Sequence, residues 1–392
     1  MKILHVQETL SRGYGGPSTV LPQLANAQAV AGHQVVVATT NADYSESPYH
    51  KPGWDSIGGG PAKAFYAPVQ FNSMKISLDL AAYLRGAIPA FDIVHIHGLY
   101  RFPPTLAAYL SRRYDVPYIV RPHGALDPYL HNKSAAGKIR LKRLYGRWFD
   151  LPNLNAAAAI HYTAEREQAR AAFLKLRSPS FVIPNGLKSD WNESRFKRGR
   201  LRDRWGVGDA PVVLFLGRIT VGKGLDLLIP AFDAVRQMEP NACLVIAGPD
   251  DDGYGEEVSR WVSELGLGGN VRIVGPLNGI DVPQAYRDAD VLAQTSHTEN
   301  FGMTIVEAMA CGLPVVISDQ VGIHPEVSRS GAGLVTSRNA SEISQALLML
   351  LGDKGRRFAM GRAGRKLVQQ CYSWPSIVAA LDSQYEDIIR RR

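Results

Sequence analysis

Val212-Val213-Leu214-Phe215-Leu216-Gly217-Arg218-Ile219-Thr220-Val221-Gly222-Lys223-Gly224 decides the fold. Five apolar residues run without interruption into a glycine loop, and a helical apolar pattern follows to Met238. A continuous Val/Leu/Phe run bounded by glycine is the pattern of a strand buried on both faces, as in a parallel sheet covered by helices. The same pattern repeats on either side. Upstream, strands are expected at Lys2–Val6, Gln34–Thr40, Ile93–His97, Tyr118–Arg121, Ala159–Thr163 and Phe181–Pro184. Downstream, they are expected at Cys243–Ala247, Val271–Val274, Val291–Gln294 and Pro314–Ser318, with helix-like segments such as Ser18–Val30, Gly224–Met238 and Thr304–Met309 between strands. The charged, turn-rich stretch Lys188–Asp209 interrupts the pattern, which restarts at Val212. The reading is therefore α/β: two doubly wound, Rossmann-like parallel-sheet domains, residues 1–187 and 188–373, facing a central cleft. The amphipathic segment after Trp374-Pro375, with Ile377, Leu381, Tyr385 and Ile388 at helical spacing, is expected to cross back over the first domain.

Composition narrows the class. With 392 residues, 45% hydrophobic and 20% charged, the chain is ordinary globular material. Its net charge of +8 is unevenly placed. Residues 1–187 hold 20 basic and 11 acidic side chains, and residues 188–392 hold 24 and 25. No apolar run approaches the ~20 residues that span a bilayer. Met1–Val6 reads as a first strand and not as a secretory leader. Cys243, Cys311 and Cys371 form no pair pattern and are expected to be buried reduced thiols of a cytoplasmic protein.

In doubly wound sheets, ligands bind beyond the carboxyl ends of the strands. After Val291–Gln294 comes His297-Thr298-Glu299-Asn300-Phe301-Gly302-Met303-Thr304-Ile305-Val306-Glu307-Ala308-Met309-Ala310-Cys311-Gly312-Leu313-Pro314. A helix starting near Gly302 offers free amides and a positive dipole end to a phosphate. Carboxylates at Glu299 and Glu307 would repel that phosphate, so they suit hydroxyl groups on either side of it. The ligand implied is a sugar, then a diphosphate, then a ribose. This run resembles that of the large retaining glycosyltransferase family 4, with its GT-B fold, in the type that builds bacterial polysaccharides and glycolipids. The resemblance extends over essentially the whole chain. It implies that Glu299 and Asn300–Gly302 hold the sugar, that the amides near Ile305 and Val306 lie on the diphosphate, that Glu307 takes the ribose, and that Met303 and Thr304 belong to the same donor-binding run.

Arg218 and Lys223 on their glycine loop can neutralise a diphosphate and the charge that grows on it as it leaves. They are similar to the family's Gly-Arg…Lys-Gly pair, which implies binding without a metal or other cofactor. Gly15 and Gly16, in Ser11-Arg12-Gly13-Tyr14-Gly15-Gly16-Pro17, resemble the family's N-terminal glycine loop. His123, in Arg121-Pro122-His123-Gly124, can donate to a sugar oxygen and matches the histidine that lies near the reacting carbon. Pro276 and Leu277 fall where the family places its nucleobase, and Asn185 falls in a structural Pro-Asn-Gly turn. His95 and His97 share one strand face, but no third metal ligand is evident nearby. Asp250-Asp251-Asp252 reads as a solvated loop.

Residues 133–149 carry Lys133, Lys138, Arg140, Lys142, Arg143 and Arg147 with no acidic residue. Leu141, Leu144, Tyr145, Trp148 and Phe149 form one apolar stripe at helical spacing. Such a helix either packs on the domain, contacts an anionic membrane or meets a polyprenyl-diphosphate-linked acceptor. No nucleic-acid-reading motif is present. The combined expectation is a metal-independent, retaining hexosyltransferase on the cytoplasmic side of the inner membrane. It would use a UDP- or GDP-sugar and a saccharide or lipid-linked acceptor, with His123, Arg218, Lys223 and Glu299 as its catalytic set. A sugar-nucleotide 2-epimerase of the same fold, or a non-catalytic nucleotide-sugar-binding or scaffold protein, remains open.

Overall fold

The computed structural model describes all residues except 12–14, 44–49, 129–141, 143, 189–196, 251–252 and 392. The chain divides into two compact units, Met1–Gly186 with Trp374–Arg392, and Leu187–Ser373.

In the first unit the strands are β1 (Lys2–Thr9), β2 (Gln34–Thr40), β3 (Gly53–Ser56), β4 (Lys63–Ala67), β5 (Ile93–His97), β6 (Tyr118–Arg121), β7 (Ala159–Tyr162) and β8 (Ser180–Val182). They form an 8-stranded sheet in the order β3-β4-β2-β1-β5-β6-β7-β8. Strand order reverses between β1 and β5, which places the topological switch point there. All pairings are parallel except β3 with β4, an antiparallel edge that the sequence pattern did not predict. β3 is short and largely exposed, so it lacks the buried apolar run that marks the other strands.

Helix α1 (Gly16–Val30) follows β1, α2 (Leu78–Ala87) follows β4 and α3 (Phe102–Arg113) follows β5. Pro17 occupies the first turn of α1, where its missing N–H costs nothing. Ser77 caps α2 by accepting from the Leu80 amide. The short helices α4 (Leu151–Asn155) and α5 (Glu165–Ala171) follow.

The second unit carries β9 (Val212–Leu216), β10 (Cys243–Ala247), β11 (Val271–Gly275), β12 (Val291–Gln294), β13 (Val315–Ser318) and β14 (Gly333–Thr336). They form a 6-stranded parallel sheet in the order β11-β10-β9-β12-β13-β14. Its switch point lies between β9 and β12. Every residue of β10, β12 and β13 is buried, as continuous Val/Ile/Leu runs require when helices cover both faces. The covering helices are α6 (Arg200–Trp205), α7 (Leu225–Met238), α8 (Tyr254–Glu264), α9 (Asp281–Asp288), α10 (Met303–Ala310), α11 (His324–Ser330), α12 (Ala340–Gly352) and α13 (Lys354–Cys371). Two apolar clusters form, one on each face of the sheet, with Leu214 in one and Val213 in the other. Burying each such side chain contributes about 1.5–3 kcal/mol.

The last helix, α14 (Trp374–Arg390), belongs to the first unit. Its buried face includes Trp374, Ile377, Val378, Leu381 and Tyr385. Asp382 pairs with His33, and the Trp374 indole N–H donates to Gln23 on α1. Gly186 leaves the room that the Trp374 ring fills, since a Cβ there would lie 2.5 Å from it.

Cys243 and Cys311 are buried free thiols, whereas Cys371 is exposed at the end of α13, contrary to the expectation of burial. Among the described residues no helix is long and apolar enough to cross a membrane.

Candidate functional site

Adjacent parallel strands β9 and β12 flank the switch point of the second unit, and the segments leaving their carboxyl ends carry most of the expected donor-binding residues. After β9 the chain turns through Gly217 and Arg218 into a 3-10 turn, Val221–Lys223, and then into α7. Gly224 holds that corner at φ 71°, and a Cβ there would lie 2.0 Å from the Thr295 carbonyl oxygen. Thr295 follows β12, and its side-chain hydroxyl donates to the Gly224 carbonyl at 2.7 Å, which ties the two loops together. The His297 amide adds a second stitch to the Gly222 carbonyl at 2.9 Å.

The stitching brings Lys223 to Glu299, and the ammonium and carboxylate form a salt bridge in a half-buried position. Arg218 is exposed and makes no ion pair among the described residues. The Glu299 segment is fixed from the β13 side, with the Glu299 carbonyl accepting from Gly322 at 2.9 Å. The His297 ring sits 2.9 Å from the Asp226 carboxylate on α7, a contact the sequence reading gave no role.

Gly302 at φ 95° is the N-cap of α10, and no side chain caps this helix. The expectation for its amides needs correction. Those of Ile305 and Val306 are occupied, donating to the Gly302 carbonyl at 3.0 and 3.3 Å. The amides of Met303 and Thr304 carry no partner among the described residues, because the first turn of a helix has no preceding carbonyls to bond. The amides left open at this helix end are thus those of Met303 and Thr304. The side chains of Phe301, Ile305 and Val306 are buried in the core, with Phe301 packed edge-on against Tyr372, so these residues can offer a ligand only backbone. Asn300 lies in the turn between Glu299 and this end.

Glu307 is on the second turn of α10 and half-buried. The Tyr286 hydroxyl on α9 donates to its Oε2 at 2.9 Å. Burial lifts the carboxyl from 4.5 to about 7, with the Tyr286 bond opposing the shift. Tyr286 lay inside an ordinary helical pattern, so no sequence signal singled it out. Gly275, Pro276 and Leu277 leave the end of β11, and the Leu277 side chain packs on the core while Pro276 is exposed.

In the first unit, Gly15 (φ 85°) and Gly16 begin α1 at the β1–β5 switch point, and Arg12, Gly13 and Tyr14 lie outside the described residues. His123 follows β6 with φ 52°, in the left-handed region that costs a non-glycine residue about 1–2 kcal/mol. Glu167 holds the turn. Its carboxylate accepts from the Gly124 amide at 2.6 Å and from the Thr163 amide at 2.7 Å and hydroxyl at 2.8 Å. Arg121 is buried and donates to the Asn185 side-chain amide oxygen Oδ1 at 2.5 Å, a structural role for Asn185.

A group of histidines fills the middle of the sheet. His5, His95, His97 and His161 are at most 1% exposed, and His123 is half-buried. The fold supplies the third imidazole that sequence did not: nitrogens of His5, His95 and His97 lie within 4.8 Å of one another. Yet both ring nitrogens of each are already in hydrogen bonds, to Gln28, to Tyr385 or to other imidazoles. The Arg121 charge also acts on all three, so the cluster suits a hydrogen-bonded network better than a cation.

The basic segment lies mostly outside the described residues, which include Lys142 and Arg147 of its cations. Gly146–Asp150 forms a π-helical turn leading into α4. Leu144, Trp148 and Phe149 are exposed, so their stripe does not face the core of the unit. A groove of about 350 Å³ is lined by Tyr100, Leu126, Lys142, Arg147 and Phe173, and a second of about 400 Å³ by Ile76, Tyr109, Trp148 and Phe149.

Residues 198–367 match the family described as "Glycosyl transferases group 1", and residues 15–186 match the "Glycosyl transferase 4-like domain". The chain belongs to the GT4-type glycosyltransferases. The family's two-domain GT-B fold is also that of the sucrose-phosphate synthase of Thermosynechococcus elongatus, which aligns over 100% of both chains with a TM-score of 0.76 and 21% identity. A GDP-mannose-dependent alpha-(1-6)-phosphatidylinositol monomannoside mannosyltransferase of Mycobacterium tuberculosis is 30% identical over 51% of this chain and 54% of its own length. The chain thus spans about half the length of that curated relative. A GDP-mannose:cellobiosyl-diphosphopolyprenol alpha-mannosyltransferase of Xanthomonas oryzae pv. oryzae is 24% identical over 99% of this chain and 97% of its own length.

Proposed function

We propose that this GT4-type chain moves a hexose, with retention, from a UDP- or GDP-sugar to a hydroxyl of a saccharide or lipid-linked oligosaccharide during cell-surface polysaccharide synthesis. The observation that carries the reading is the Lys223–Glu299 pair at the β9–β12 switch point, next in sequence to the uncapped end of α10. A diphosphate there draws Lys223 away from Glu299 and leaves that carboxylate to accept from sugar hydroxyls. Arg218, Lys223 and the Met303–Thr304 amides then neutralise the charge that develops on the leaving diphosphate. These are protein donors, and the reading needs no metal or other cofactor. Glu307 accepts from the ribose hydroxyls, and the Gly275–Leu277 backbone lies on the base.

The bond from the anomeric carbon to the β-phosphate oxygen breaks, and the acceptor oxygen attaches on the same face. The acceptor's proton passes to the departing phosphate oxygen. Two relatives named for GDP-mannose favour that donor, and their lipid-bearing acceptors favour a membrane-borne one. The exposed Leu144, Trp148 and Phe149 beside Lys142 and Arg147 support contact with an anionic membrane at the cytoplasmic face.

Thermal unfolding against a panel of UDP-, GDP- and ADP-sugars tests the reading. The right donor at 100 times its Kd adds about 2.7 kcal/mol to stability. No shift with any of them would overturn it. Release of an epimerised sugar nucleotide without an acceptor would replace transfer with 2-epimerisation.

A further inference from the structure

The buried imidazoles form one hydrogen-bonded chain whose direction can be deduced from its end. His161 Nε2 lies 2.8 Å from the Ile183 carbonyl oxygen. A carbonyl only accepts, so Nε2 carries the proton and the neutral ring has a bare Nδ1. That Nδ1 faces His95 Nε2 at 3.3 Å, so His95 donates from Nε2 and its own Nδ1 is bare. The Tyr385 hydroxyl, 2.7 Å from His95 Nδ1, must therefore donate to it. With its proton spent there, the Tyr385 oxygen accepts from the Gln28 amide N–H at 3.3 Å. This fixes the Gln28 amide with Oε1 toward His5 Nε2 at 2.7 Å, so His5 donates from Nε2. The bare His5 Nδ1 accepts from His97 Nε2 at 2.9 Å, and the bare His97 Nδ1 accepts from His123 Nε2 at 3.0 Å.

We infer that this single directional chain, anchored on the Ile183 carbonyl and threaded through Tyr385 of the last helix, holds His123 as the neutral Nε2–H tautomer and presents its Nδ1 as a bare acceptor. His5, His97, His95, His161, Gln28 and Tyr385 are positioning residues, because they act on the site through His123. Nδ1 has no partner among the described residues. It therefore takes a hydrogen bond from a substrate hydroxyl and cannot donate to a sugar oxygen, which reverses the sense expected from sequence; this last step rests on the proposed transfer reaction. Neutrality follows from surroundings. Burial lowers His5 to about 4 and holds the other four well below the ordinary imidazole value, and the Arg121 cation acts in the same direction. Arg121 is the charged group shared by all five rings, and the Glu167 carboxylate sits on the Arg121 and Gly124 side of the turn.

Nitrogen-15 NMR of the histidine-labelled full chain reads tautomers directly, with signals assigned by the loss of one spin system in each His→Gln variant. The expected result at pH 7 is that His5, His95, His97, His123 and His161 are all neutral Nε2–H forms. An Nδ1–H tautomer or an imidazolium at any of the five overturns the chain, whether or not the protein transfers sugar. Tyr385→Phe removes one hydroxyl and frees Gln28 to turn over. The Nδ1–H form should then appear at His5, His97 and His123 only, while His95 and His161 stay as they are. Unchanged tautomers throughout would refute the threading through Tyr385. The same variant should keep its Tm within a few degrees and lose about fivefold to tenfold in kcat/KM, the size of one hydrogen bond. Adding the sugar nucleotide and acceptor should shift the His123 Nδ1 resonance as it accepts. A resonance that stays put under saturating substrates that are turned over would refute the hydroxyl contact and leave the tautomer result standing.

Discussion

Glu307 should couple donor binding to pH in a direction opposite to its effect on stability. Burial raises its carboxyl from 4.5 to about 7. Because the folded value lies above the unfolded one, the group's contribution to stability is complete below pH 4.5 and is lost as pH rises through about 7. That displacement corresponds to at most about 3–4 kcal/mol. Ribose hydroxyls, however, need the carboxylate as an acceptor. If only the ionised form binds, about a tenth of the protein is competent at pH 6 and about nine tenths at pH 8, so affinity for the sugar nucleotide should rise about tenfold over that range. Calorimetric titration with the intact sugar nucleotide, whose diphosphate does not titrate there, measures this. Glu307→Gln should bind more weakly, show no slope and lose the matching decline in stability. Tyr286→Phe, which removes the bond that favours the carboxylate, should move the midpoint to higher pH. An affinity that is flat between pH 6 and pH 8, or a slope that survives in Glu307→Gln, would refute the assignment of Glu307.

Lys223→Ala should cut turnover by at least about 10²-fold, the scale for removing a donor that stabilises developing charge, with the fold retained by circular dichroism. Wild-type turnover would remove Lys223 from the reaction. Gly224→Ala should cost about 2 kcal/mol or more in urea unfolding, because φ 71° is combined with a Cβ that would sit 2.0 Å from the Thr295 carbonyl oxygen. Unchanged stability would show that the corner can relax. Trp148→Glu should lower cosedimentation with anionic phospholipid vesicles severalfold and leave transfer to a soluble acceptor unchanged; equal vesicle binding would refute the membrane contact.

The sheets were legible where apolar runs were long. Gln34–Thr40, Ile93–His97, Cys243–Ala247 and Val291–Gln294 form strands with the bounds read from sequence, because strands buried on both faces read as runs rich in Val, Ile and Leu even where a histidine, threonine or glutamine interrupts them. Gly53–Ser56, Lys63–Ala67 and Gly333–Thr336 escaped notice, being short and lying at or next to a sheet edge. The candidate donor residues were legible because a strand, a glycine turn and a helix start are local features. Their pairings were not. The contacts of Lys223 with Glu299 and of Tyr286 with Glu307 join elements whose proximity depends on strand order.

By itself the sequence determined the alternation of strand and helix, the restart at Val212 and the placing of cations and carboxylates beyond strand ends, all written in local spacing. Tertiary structure alone decided which amides of α10 are free, that Leu144 and Trp148 face outward, and that α14 returns to the first unit with Tyr385 beside His95. It also decided the sense of the His123 hydrogen bond. A lone imidazole can carry its proton on either nitrogen, and the choice here is set by a carbonyl at Ile183, reached through residues from Gln28 to Tyr385 that only the folded sheet brings into line.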